Sequence, residues 1–150
     1  MSGSVAAQLV RPPVGLLLAL LPGVAALAAA IGAGLSVVAG EADVLGVLLA
    51  GMVAVLTALL TPGAFAALGA TEATKFPSFA IAISCVRLAT GTGLALAVWL
   101  LSGRPEMVPF WMTFLLASLA TLVVETLVMI AALRRATVAP AGEQANGGAV

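Results

Sequence analysis

The chain reads as four long apolar runs separated by short polar breaks. The runs cover roughly 14–39, 44–70, 78–101 and 107–133, and each is long enough to cross a bilayer as a helix, which takes about 20 residues. The breaks are Gly40-Glu41-Ala42-Asp43, then 71–77, then Ser102-Gly103-Arg104-Pro105-Glu106. Each holds charge together with Gly or Pro, as helix ends require. Connections this short force successive helices to be antiparallel neighbours. The pattern predicts an all-α membrane protein: a four-helix transmembrane bundle over 1–135 with antiparallel up-down topology. Residues 136–150, rich in Ala, Gly and Pro, read as a short disordered cytoplasmic tail.

Composition strengthens that reading and narrows the chemistry. Of 150 residues 63% are hydrophobic and 8% charged, against about 25% charged in a soluble domain. Too little polar surface exists to cover a water-facing exterior. There is no histidine or tyrosine, and Cys85 is the single cysteine. Haem ligation by His, four-thiolate metal sites and Ser-His-Asp catalysis are excluded by the missing residues. No cofactor is expected. Six basic residues balance six acidic ones, so net charge does not point to nucleic acid. The first run, at 26 residues, is well beyond the ~7–15 of a signal-peptide core, which favours a retained span.

Orientation follows from the lysines and arginines. Arg11, Lys75, Arg134 and Arg135 fall at the N-terminus, the middle break and the C-terminal end, whereas the other breaks hold only Arg104. This bias puts both termini in the cytoplasm and the protein in the cytoplasmic (inner) membrane. Trp99, Phe110 and Trp111 would mark the outer interface, with Phe76 and Phe79 at the inner one.

Two charges lie inside apolar runs, Arg87 in the third and Glu125 in the fourth. A charge near the bilayer centre costs about 2.5–3.5 kcal/mol on insertion scales, so each needs a partner or water. At the helical rise, Arg87 lies ~15 Å from Pro77 and Glu125 ~12 Å from Leu133, both measured from the inner end. Matching depth on adjacent antiparallel helices predicts an intramembrane ion pair. The same faces carry Ser84, Thr90 and Gly91 on one helix and Ser118 and Thr121 on the other. Small and hydroxylated residues there would allow close approach and extra hydrogen bonds. Such a pair either locks the hairpin or offers a charge to a partner or a permeating ion.

The first run carries two stripes of small residues at four-residue spacing, Ala26-Ala30-Gly34 and Ala28-Gly32-Ser36. Either stripe can pack within this bundle or dock another Ala/Gly-rich membrane protein or a second copy. Pro22-Gly23 and Pro62-Gly63 are expected to kink the first two helices.

Taken together, these features resemble the ATP synthase protein I (AtpI) family. The resemblance covers most of the chain. It rests on four spans in this length with cytoplasmic termini, and on a Gly- and Pro-bearing second run (51–62). Most telling is the segment 84–133, which begins with a basic residue in an apolar helix, Cys85-Val86-Arg87-Leu88-Ala89. It continues through a short proline-bearing loop into the last helix. Arg87 is the one position carried over. The family's third helix can also hold an acid just before the basic residue, where Ile83 and Ser84 stand here. Membership implies an accessory protein of the rotary F-type ATP synthase, not an enzyme. Such proteins are thought to help assemble the ring of proteolipid c subunits, whose helices are Ala/Gly-rich and carry a mid-membrane carboxylate. A role in supplying divalent cations has also been suggested.

Two rival readings share the composition. A four-helix proteolipid subunit would need Glu125 to cycle protons, which a fixed cation at the same depth opposes. A small ion transporter or channel subunit would have Arg87 and Glu125 lining the path, with Thr90 and Thr121 as further oxygens.

Overall fold

The structure, a computed structural model, describes residues 9–38, 40 and 43–138. A two-residue strand β1 (Leu9–Val10) leads into helix α1 (Val14–Val38). The second span is two helices, α2 (Val44–Ala58) and α3 (Leu60–Leu68), followed by strand β2 (Thr71–Glu72). Two long helices follow, α4 (Phe76–Leu101) and α5 (Met107–Val138). Among the described residues four segments are long and apolar enough to cross a membrane, as the runs predict. The bounds differ in instructive ways. α4 begins at Phe76, because Pro77 suits the first turn, where its missing N–H is not needed. α5 continues past Leu133 through Val138, so 136–138 are helical and not tail. The remainder of the expected tail, 139–150, lies outside the described residues.

The break in the second span has a covalent cause. Pro62 has no N–H to give to the Ala58 carbonyl, and its ring crowds that carbonyl. The helix parts one residue later, at Leu59, whose N–H turns to the Leu56 carbonyl at 3.3 Å. Pro22, by contrast, lies within an unbroken α1.

β1 and β2 pair antiparallel, Leu9 with Glu72 and Val10 with Thr71. This ribbon places the N-terminal segment and the α3–α4 connection at the same end of the bundle. At the other end Asp43 joins the two remaining connections. Its Oδ1 accepts from the Gly46 N–H, capping α2, and its Oδ2 accepts from the Glu106 N–H at 2.8 Å. Trp99 Nε1 donates to the Pro105 carbonyl at 2.9 Å and holds the same loop.

Burial inverts the soluble pattern. Large aliphatics such as Leu27, Leu35, Leu56 and Leu127 face outward, while Ala, Gly and Thr residues face inward. Lipid is as apolar as leucine, so burying leucine gains little and close backbone approach decides the packing. α5 packs mainly on α1 and α2, and α4 mainly on α2. α4 and α5, although consecutive, touch only loosely. Gly91, the small residue expected to draw α4 to α5, is shared by two helices: a Cβ there would lie 3.4 Å from Thr57 of α2 and 3.6 Å from Phe114 of α5. Phe76 and Phe110, in the first turns of α4 and α5, are buried. Phe76 stacks on Phe65 at 5.9 Å, and Phe110 meets Trp111 edge to face.

Candidate functional site

Arg87 on α4 and Glu125 on α5 form the expected ion pair across the loose α4–α5 seam. Arg87 Nη2 lies 3.2 Å from Glu125 Oε2, and the side chains are 4% and 2% exposed. Two long side chains bridge a gap that the helix backbones leave open. Ser84, one turn before Arg87, places its hydroxyl 2.7 Å from Glu125 Oε1 and 3.0 Å from the Ala80 carbonyl. With one proton it donates to one acceptor at a time, and the charged carboxylate is the stronger of the two.

The pair is neutral overall but incompletely hydrogen-bonded. Arg87 Nη1 and Nη2 and Glu125 Oε2 have no partner in hydrogen-bond geometry among the described residues. A guanidinium carries five N–H donors in a fixed fork, so Arg87 retains capacity for a second acceptor. In a low-dielectric site that capacity is energetically consequential, since an unmade hydrogen bond to a buried charged group costs more than to a neutral one.

The two residues line different grooves, although Arg87 Nη1 and Nη2 and Glu125 Oε2 are themselves buried. Arg87, with Thr90 and Val86, lines a groove of about 500 Å³ between α3 and α4 whose opposite wall includes Gly63 and Ala64. A Cβ added at Gly63 would meet nothing within 4 Å, so this wall is open. Glu125, with Ser84, lines a second groove of about 490 Å³ between α4 and α5, walled by Ile81, Leu88 and Leu122.

Of the four expected supporting residues, Ser84 alone is hydrogen-bonded to the pair. Thr121 is buried, but its hydroxyl faces the carbonyls of Ala117 and Ser118 in its own helix. Thr90 is exposed along the α3–α4 groove and Ser118 is half-buried. The two stripes of α1 separate cleanly. Ala28, Gly32 and Ser36 face the bundle interior, and Gly32 packs on Thr113 of α5. Ala26, Ala30 and Gly34 are exposed on the opposite face, with nothing within 4 Å of a Cβ at Gly34.

Asp43 was not singled out from sequence, although an Asp directly before an apolar run is a helix-start signal. The α3–α4 groove could not be read from the sequence, because it depends on where the second span breaks. Among the described residues no group of acidic or Cys side chains is arranged to hold a metal ion. Comparisons with protein-family models, curated proteins and solved structures return no match.

Proposed function

We propose that the protein is an accessory factor of the membrane sector of a rotary F-type ATP synthase and assists assembly of its c ring. The observation that carries this reading is Arg87, a buried guanidinium with uncommitted donors beside a groove walled partly by Gly63 and Ala64. A helix of small residues bearing a mid-membrane carboxylate fits that groove sterically and electrostatically. Its carboxylate takes the free donors of Arg87, while Glu125, itself hydrogen-bonded by Ser84, holds the guanidinium in place. The exposed Ala26-Ala30-Gly34 stripe offers a second close-packing face to such helices. The resemblance of 84–133 to the ATP synthase protein I family supports the same assignment.

Affinity purification of the protein from cells, with and without Arg87→Gln, tests the proposal. Proteolipid ring subunits should copurify with the unaltered protein and be lost with the variant, and cells lacking the protein should yield less assembled ring. Normal ring yield in such cells, or purified protein free of ring subunits, sinks the idea. The transporter reading requires polar groups to continue through α1 and α2. There Ser36 and Thr57 turn their hydroxyls onto carbonyls of their own helices, which disfavours a path. Ion flux into proteoliposomes containing the protein alone would favour that reading instead.

A further inference from the structure

A third groove lies at the end of the bundle that carries the β1–β2 ribbon. It has a volume of about 540 Å³ and is formed by the start of α1, the last turns of α5 and the segment before α1. Arg11 and Arg135 line it, and both are exposed. Among the described residues no carboxylate pairs with either arginine. The nearest acid in the ribbon, Glu72, is engaged by Lys75 at 2.9 Å. The other walls are apolar: Leu16 on α1 and Leu127, Val128 and Ala131 on α5. From Leu127 to Arg135 is eight residues, or about 12 Å along the helix axis. The groove is thus amphipathic along the helix axis, with guanidiniums at the end of the bundle and aliphatic walls running toward its middle.

We propose that this groove is a binding site for an anionic phospholipid. Two arginines flank the phosphate of the headgroup, a group the guanidinium fork matches in geometry and charge. The upper part of an acyl chain lies along Leu16, Leu127 and Val128. Basic clefts between transmembrane helices hold acidic lipid headgroups by this combination of charge and apolar contact. The site lies on α1 and α5, away from the grooves at Arg87 and Glu125, and does not depend on the function proposed above.

Native mass spectrometry of the purified full chain, with added phosphatidylglycerol or phosphatidylcholine, tests the proposal. The expected result is retained phosphatidylglycerol adducts and a higher thermal midpoint, with little effect of phosphatidylcholine. Arg11→Gln with Arg135→Gln should weaken retention about 25-fold, at about fivefold per arginine near an anionic surface. Arg104→Gln, at the other end of the bundle, should leave retention unchanged. Ala131→Leu fills the groove without altering charge and should also reduce retention. Equal loss in the Arg104 variant, or unchanged retention in the double variant, overturns the site. Stabilisation by free glycerol phosphate that matches the lipid overturns a lipid occupant. A chain-to-chain dimer that excludes lipid and is broken by Ala131→Leu assigns the groove to a second copy and likewise overturns the proposal.

Discussion

Gly32 of α1 and Thr113 of α5 meet so closely that a Cβ on Gly32 would lie 2.8 Å from the Thr113 hydroxyl and 3.1 Å from its Cα. The second atom is backbone, so a side chain at Gly32 forces the helices apart. Gly32→Leu is expected to destabilise the bundle by about 1–3 kcal/mol, the usual cost of overpacking. Gly34→Leu, on the open face of the same helix, should leave stability within about 0.5 kcal/mol. Unfolding of the two variants in detergent micelles measures the contrast, and equal loss in both would contradict the packing described.

The Arg87–Glu125 pair predicts asymmetric effects of single and double changes. Removing one partner leaves a buried charge uncompensated, at a cost of about 3–5 kcal/mol. Arg87→Glu alone should therefore lower the yield of membrane-inserted protein, and adding Glu125→Arg should restore much of it. Quantitative immunoblots of membrane fractions give the readout. If the double swap is no better than the single, the two residues do not act as partners in the membrane.

Gly63 separates docking from folding. It sits in α3 facing the open α3–α4 groove, and a glycine within a helix costs roughly 0.5–1 kcal/mol relative to alanine. Gly63→Leu should thus keep or raise thermal stability while reducing copurification of ring subunits several-fold. Undiminished copurification from a stably folded Gly63→Leu protein would remove the groove from the proposed mechanism.

Asp43 ties two loops 63 positions apart through one carboxylate. Asp43→Ala removes the cap of α2, worth about 0.5–2 kcal/mol, together with the bond to the Glu106 N–H. Hydrogen exchange should quicken at both the Gly46 and the Glu106 amides. Faster exchange at Gly46 alone would mean that the loop tie does not persist in solution. A Cβ at Gly46 would lie 2.8 Å from Pro105 Cβ, so Gly46→Ala is expected to loosen the same corner.

The amino-acid sequence by itself determined the four spans and the level of the two buried charges. Each rests on a property that is additive along the chain: hydropathy summed over about 20 residues, or rise counted in residues from a helix end. For Arg87 and Glu125 that sufficed, because two charges at one depth in an apolar medium have few alternatives to each other. Which helices lie closest was decided by tertiary structure. In a bilayer the lipid-facing and protein-facing sides are equally apolar, so no hydrophobic face announces the neighbour. The stripes of α1 looked alike in sequence, yet Gly32 faces Thr113 and Gly34 faces outward. Gly91 likewise faces Thr57 of α2 as well as Phe114 of α5. The grooves beside Arg87 and between Arg11 and Arg135 exist only because residues from separate spans converge there, and convergence of that kind is set by packing geometry and not by any local pattern.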